Sequence, residues 1–299
     1  MDLLAQMRTF VRVVDGKSLS AAARAQRLSL PAISRQLSAL EHDLGAQLIV
    51  RSTRKLHVTD AGRQWYEHCV RLLRQIDDAR ADVRGTDAVR GTLVVSTSLT
   101  FGSVLVIPRL RKLADKHPNL VVDIRLEDHL VNLVGEGIDV AIRAGSPPPD
   151  STAFVAQPLF SMERVLVAAP RWLRKHGVPR RPEDIGTGDA LVQVTPAGNV
   201  VRWGLRRGRT SETRTVDIRG QVRTNAPLAL RTLAVDGLGV AFLPDWLVAE
   251  DIAAGRLRRV LPEWSSGPIP AWAIYRTELR GSARLRALLE AMPTQADAV

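Results

Sequence analysis

The stretch LPAISRQLSALEHDL, residues 30–44, separates its polar side chains from its apolar ones at helical spacing. Ile33, Leu37, Leu40 and Leu44 recur so as to form one face for burial. Leu30, Pro31, Ser34, Arg35 and Ser38 are left facing outward, with Ser29 just ahead of them. The hydroxyls and the guanidinium can donate to phosphate oxygens or base edges, and Leu30 and Pro31 suit a thymine methyl. In RSTRK, Arg51, Arg54 and Lys55 stand at the tip between two short β-like runs, a placement suited to a polyanion backbone. Further on, STSLTFG sets Ser98, Thr100 and Phe101 at a strand-to-helix junction. Arg143 ends the run DVAIR, His129 follows LVVDIRL, and Asn225 opens PLALRTLAVDG. Hydroxyls and N–H groups at a helix start, with an arginine nearby, can hold an anion such as a carboxylate. Plainer readings stand beside these: helix caps for Ser98 and Thr100, an ion pair for Arg143, and a solvated or core-satisfied ring for His129.

Reaction chemistry finds little support. There is no G-x-S-x-G, no phosphate-binding P-loop, no glycine-rich dinucleotide fingerprint and no metal-ligand cluster, so neither catalytic nor metal-binding residues are expected. The single cysteine, Cys69, rules out an intrachain disulfide and a cysteine-built zinc site. The net charge of +11 favours a polyanionic partner, nucleic acid first. No run approaches the roughly 18 apolar residues of a membrane span, and the start MDLLAQMRTF lacks the pattern of a signal peptide. A cytoplasmic protein with no membrane partner is expected.

The elements that must position these groups follow from periodicity. LLAQMRTFVRVV is a helix with Leu3, Met7, Phe10, Val11 and Val14 on one stripe, stopped by Gly16. Ser18 caps a second helix, LSAAARAQ, whose Ala22 and Ala23 allow close approach. Ser29 caps the third, with Pro31 in its first turn and Gly45 at its end. Two short helices at a tight corner form a helix-turn-helix, in which the second enters the major groove. An ordinary helical hairpin is the alternative. AQLIVRSTRKLHVTDAG adds a basic hairpin, a wing, and Thr59 and Asp60 cap a fourth helix. Along that helix Trp65, Cys69, Leu72, Ile76, Ala79 and Val83 step by four and three, a heptad seam, with Leu73 widening it. The seam is expected to pair two copies of the chain; burial against the chain's own core is the alternative. Cys69 reads as a packed thiol rather than a redox sensor.

At this point FVRVVDGKSLSAAARAQRLSLPAISRQLSALEHDLGAQLIVRSTRKLHVTDAG resembles the DNA-binding domain of LysR-type transcriptional regulators. The matching residues include Ala22-Ala23, Pro31-Ala32-Ile33-Ser34, Leu40-Glu41, Leu44-Gly45 and Thr59-Asp60-Ala61-Gly62. The family usually has a polar residue at the position of Leu30 and phenylalanine at that of Ile49. The resemblance implies an antiparallel pair of linker helices and a homo-oligomer, a dimer or a tetramer built as a dimer of dimers. Such a dimer would read spaced half-sites in double-stranded promoter DNA.

After VRGTDAVRG, which reads as a hinge, strands alternate with helices, implying parallel α/β units. TLVVSTS, LVVDIRL, DVAIRAG, ERVLVAAP, ALVQV, GVAFLP and AWAIYR are expected strands. GSVLVIPRLRKLADKHP, HLVNLVGEG, PLALRTLAVDG and SARLRALLEAM are expected helices. EGIDVAIRAG and DGLGVAFLPDWLVAEDIAAGRLRRVLPEW are similar to the effector-binding half of the same family. That implies two lobes like those of a periplasmic binding protein, and a position at Ser98 that often touches effector. The expected fold is α/β with an all-α-rich N-terminal domain. It comprises a winged helix-turn-helix over 1–59, a linker helix over 60–84, a hinge over 85–91 and an effector domain over 92–299. Lobe one would take 92–162 and 268–295, and lobe two 163–267. The arginine-rich VRWGLRRGRTSETRTVDIRG reads as a solvated hairpin, with a second nucleic-acid surface as the alternative. The expected function is sequence-specific regulation by a homo-oligomer, with no cofactor, a small-molecule effector such as an organic acid, and RNA polymerase as a further partner. An enzyme with a basic appendage and a transport binding protein fit less well.

Overall fold

Asp2 starts the first helix by accepting the Leu4 N–H at 3.0 Å, and α1 runs Leu3–Asp15. In this computed structural model the described residues are 2–51, 56–83, 89–129, 131–146, 151–185, 189–195, 197–208, 210 and 212–293. They divide into two compact units, Met1–Asp87 and Ala88–Val299.

In the first unit Ser18 caps α2 (Leu19–Gln26) and Ser29 caps α3 (Leu30–Leu44), each hydroxyl accepting a first-turn N–H at 3.3 Å. α3 ends at Gly45, whose φ of 61° is the left-handed value that glycine adopts at no steric cost. β1 (Ile49–Arg51) and β2 (Leu56–Val58) pair antiparallel as the wing. α4 (Asp60–Val83) then begins, with Thr59 Oγ1 accepting the Gly62 N–H at 2.9 Å. A Cβ on Gly62 would lie 2.2 Å from the Leu48 carbonyl oxygen, so α4 can sit this close to the wing only because residue 62 is glycine. Met7, Phe10, Val13, Ala22, Ala23, Ile33, Leu37, Leu40, Leu48 and Ile49 form the core, and Cys69 and Leu73 complete it. The stripe on α1 is turned slightly from the sequence expectation: Val13 is buried, Val14 half-buried and Leu3 exposed.

The second unit opens with β3 (Gly91–Thr97). The chain then winds through α5 (Leu99–Phe101) and a wider helical turn at Gly102–Val106 into α6 (Ile107–Lys116). Pro108 in the first turn of α6 has no N–H to return to Val104, which suits the widened turn ahead of it. β4 (Leu120–Leu126) and β5 (Val140–Ala144) flank β3 in parallel. β6 (Phe154–Met162) pairs antiparallel with a late strand, β15 (Ile269–Arg276), giving the order β4-β3-β5-β15-β6.

A second sheet follows. It contains β7 (Arg164–Ala168), β8 (Ala190–Gln193), β9 (Trp203–Arg207), β10 (Thr213–Val216), β11 (Arg223–Thr224), β12 (Val240–Pro244), β13 (Arg258–Arg259) and β14 (Trp264–Ser265). Its order is β10-β9-β14-β7-β12-β8-β11, with β13 on β7, and α7 (Pro170–His176), α8 (Pro227–Val235) and α9 (Asp245–Ala253) complete it. β15 (Ile269–Arg276) returns to the first sheet and α10 (Ala283–Ala291) closes the described chain.

Two expectations change here. HLVNLVGEG is a series of turns among its described residues, not a helix. Asn132 Oδ1 takes the Gly135 N–H at 2.9 Å and Glu136 Oε1 takes the Asn132 N–H at 2.7 Å, and these side-chain bonds join backbone bonds from Glu136 to the Asn132 carbonyl and from Ile138 to the Leu133 carbonyl in closing the turns. The sheets are mixed rather than parallel throughout, since β12 is parallel to β8 but antiparallel to β7. The arginine-rich segment is the β9–β10 hairpin, and it is anchored by buried Trp203 and Leu205, with Gly204 and Arg206 on the outer side. No helix among the described residues is long and apolar enough to cross a membrane.

Candidate nucleic-acid interface and effector site

α3 rests on the core through Ile33, Leu37 and Leu40, and this decides what its other side presents. Leu30 is 47% exposed, and Ser29, Pro31, Arg35 and Ser38 are exposed beside it. Ser34 is half-buried. Ser29 spends its hydroxyl as an acceptor for the Ala32 N–H, so as a helix cap it orients the first turn. Arg54 and Lys55 lie outside the described residues, and so does the side chain of Arg51. One residue that periodicity could not assign a role is Glu41. Its Oε1 accepts the N–H groups of Leu48 and Ile49 at 2.8 and 3.0 Å, fixing the wing's first strand to α3.

The heptad seam of α4 divides. Cys69 is fully buried in its own chain's core, and Trp65 is half-buried against the same cluster. Cys69 is therefore corrected from a partner-facing to a core position, and Trp65 packs partly against that core, because α1 lies along this face of α4. Tyr66 holds α1 there by donating to Asp15 Oδ1 at 2.5 Å, a bond that pushes its hydroxyl pKa up to about 12. Arg8 and Asp77 make a second tie at 2.5 Å. Burial likewise pushes the Cys69 thiol up to about 12, the state of a packed thiol. Leu72 is 43% exposed, Val70 is exposed near it, and Ile76 is half-buried. The side chains of Ala79 and Val83 lie outside the described residues.

In the second unit, the parallel strands β4, β3 and β5 bring their carboxyl ends together, the edge where α/β sheets bind ligands. Ser98 stands there half-buried, and its hydroxyl makes no cap bond. Thr100 and Phe101 are buried, the latter stacked on Phe160 and edge-on to Trp246, both at 5.8 Å. The helical turn after Ser98 rotates them inward, toward the core of the first sheet. Arg143 Nη2 donates to Ser96 Oγ at 2.9 Å and to the Glu127 carbonyl at 3.3 Å, and Nη1 donates to the Ile142 carbonyl at 3.0 Å. These bonds brace the strand ends. Burial lowers the Arg143 pKa, opposed by nearby Glu127, Asp128 and Glu136. His129 is mostly solvated, 3.8 Å from the carboxylates of Glu127 and Glu136.

Asp128, which the sequence did not single out, accepts the Leu99 N–H at 3.1 Å and so already supplies a carboxylate to that helix start. Asn225 is exposed on the loop before α8, one residue ahead of the cap position held by Ala226. Trp246, on the second sheet's α9, packs against the cores of both sheets. Its Nε1 donates to Met162 Sδ at 2.8 Å, beside the point where the chain crosses from one sheet to the other.

Two known protein families match the chain in succession. Residues 4–63 match the bacterial regulatory helix-turn-helix protein family, lysR type, and residues 86–297 match the LysR substrate binding domain. The regulator PtxR of Pseudomonas aeruginosa is 33% identical over 290 residues, covering 97% of this chain and 91% of its own. The probable regulator LtrA of Klebsiella pneumoniae is 31% identical over 295 residues, covering 97% and 94%. Among solved structures, the LysR-type regulator CrgA of Neisseria meningitidis aligns at a TM-score of 0.60 and 27% identity, covering 96% of this chain and 97% of its own. With its two domains in this order, the chain belongs to the LysR family of bacterial transcriptional regulators.

Proposed function

We propose that this regulator binds promoter DNA sequence-specifically as a cytoplasmic homo-oligomer, and that an effector bound between the two lobes of its C-terminal domain changes that binding. The division proposed is 1–59 for DNA, 60–84 for self-association, 85–91 as hinge, and lobes over 92–162 with 268–295 and over 163–267. The observation that carries the reading is the exposed first turns of α3, which present Leu30, Pro31, Arg35 and Ser38 above a buried apolar face. Arg35 is assigned to a base edge or phosphate, and the wing cations Arg51, Arg54 and Lys55 to backbone. Leu72 and Ile76 are assigned to the partner copy in a dimer or tetramer. RNA polymerase is the downstream partner.

In the effector domain Ser98 carries the assignment. An organic acid remains the effector class proposed, and it would take the Leu99 N–H in place of Asp128. A ligand that prefers one lobe arrangement shifts the population by its differential affinity and nothing else.

The test is a mobility-shift assay with the protein's own upstream DNA. Arg35→Ala is expected to weaken binding to that fragment about tenfold or more, the size of a lost base contact. Ser98→Ala is expected to leave binding intact and blunt the response to an effector found by thermal-shift screening. If unrelated DNA competes as well as the upstream fragment, sequence-specific regulation is wrong. Retained effector response in Ser98→Ala removes that residue from the pocket.

A further inference from the structure

Beneath the recognition helix, α1, α2 and α3 meet at a polar point inside an otherwise apolar core. Thr9 of α1 is 0% exposed, and its Oγ1 lies 3.1 Å from Gln26 Oε1 at the end of α2. The same Oγ1 is hydrogen-bonded to Gln36 Oε1 on α3. Gln26 Nε2 is buried and has no partner among the described residues. A threonine hydroxyl has one hydrogen, so it cannot donate to both carboxamide oxygens. A half-turn of the Gln26 amide resolves both facts at once. Its N–H then donates to Thr9 Oγ1, and Thr9 donates to Gln36 Oε1.

We propose that Thr9 is a positioning residue for DNA recognition, the middle member of a donor chain Gln26→Thr9→Gln36 that fixes the roll of α3 in the groove. The inference rests on α3 being the helix that reads DNA. At about 100° per residue, Gln36 lies roughly half a turn from the centre of the face carrying Leu30, Ser34, Arg35 and Ser38. A bond there acts against rotation of that face. Ile33, Leu37 and Leu40 are held by non-directional apolar contact and resist such a roll less. A roll of about 10° moves a side-chain tip some 5 Å from the helix axis by roughly 0.9 Å. That exceeds the tolerance of about 0.5 Å for a productive contact. Phosphate contacts, being long-ranged and forgiving, survive such a shift while base contacts do not.

The experiment uses the full-length protein. A binding sequence is selected from random duplexes with the wild type. Affinity for that sequence and for an unrelated duplex is then measured against salt, well below the melting temperature, for Thr9→Val, Thr9→Ser and Gln26→Glu. Thr9→Val keeps shape and loses the hydroxyl. It is expected to lower affinity for the selected sequence about tenfold, with unrelated-duplex affinity and the salt slope within twofold of wild type. Thr9→Ser restores the wild-type ratio. Gln26→Glu has no amide hydrogen to give and is expected to behave like Thr9→Val. The proposal is overturned if Thr9→Val keeps the ratio, if both affinities fall together, if Thr9→Ser fails to restore the ratio, or if Gln26→Glu matches the wild type. Selection that enriches no sequence with the wild type refutes recognition by α3 itself, a different outcome from any of these.

Discussion

The position of Cys69 decides between two uses of α4, and its ionisation measures which is real. Burial holds the thiol near 12, against a reference of 9.0. At pH 8 a thiol at that reference is roughly one tenth thiolate, whereas one near 12 is about one part in ten thousand. Since only the thiolate attacks, native Cys69 should react with a disulfide reagent roughly 1,000-fold more slowly than a solvent-exposed cysteine. The raised pKa is also a statement about stability. The neutral thiol is the folded form, so its contribution is complete below the unfolded value and is lost as pH rises from about 9 toward 12. At pH 10 the unfolded chain gains about 1.4 kcal/mol by ionising this thiol. For a unit of about 87 residues that corresponds to about 6–11 °C of melting temperature. Full-length wild type and Cys69→Ala should be melted at pH 7.5 and pH 10, with reagent kinetics on the wild type at pH 8. The wild type should lose about 6–11 °C more than Cys69→Ala between the two pH values. Rapid modification of the native thiol, or an equal alkaline loss in both proteins, would refute burial in the chain's own core.

Leu72→Glu places a charge on the exposed strip of α4 and touches no core residue; light scattering should report a smaller assembly, with the circular dichroism spectrum unchanged. A particle of unchanged mass would remove Leu72 from the self-association surface. Asp251 is 2% exposed and accepts from Arg231 and Arg256 at 2.5 and 2.6 Å, stapling α8 to the end of α9. Burial raises its pKa, but the two arginine hydrogen bonds outweigh that and the net direction is down. Its stabilisation is therefore present above the usual carboxylate range and is lost as pH falls through the lowered folded value. Asp251→Ala should destabilise the C-terminal domain by about 2–4 kcal/mol, less than a fully buried pair because both arginines are partly solvated. Calorimetry at pH 7 should show the loss, and a change below about 0.5 kcal/mol would mean the staple is ornamental to stability.

Much of the DNA-binding unit was legible in the sequence because its determinants are local. Ser18 and Ser29 cap, Gly45 stops, Pro31 fits a first turn, and Ile33, Leu37 and Leu40 recur at the helical period, all within a few residues of the structure they specify. The strands β3, β4, β5, β7, β8 and β12 were legible for the same reason, as short apolar runs between breakers. The seam on α4 had the spacing of a partner-facing stripe, yet the spacing is the same whether the neighbour is a second copy or the chain's own α1. Only the fold placed α1 there and gave Cys69 to the core and Leu72 to solvent. The turns at 133–137 escaped the sequence because the Asn132 and Glu136 side chains bond the local backbone and favour tight turns where the apolar residues alone would support a helix. The effector site was the least legible part. Which of Ser98, Thr100 and Phe101 faces outward depends on the rotation of one helical turn. Whether Arg143 is available depends on Ser96 and Glu127, which sequence separation hides and sheet order brings within hydrogen-bonding distance. Periodicity thus fixes which residues share a face, while the neighbour that face meets is settled only when distant segments pack.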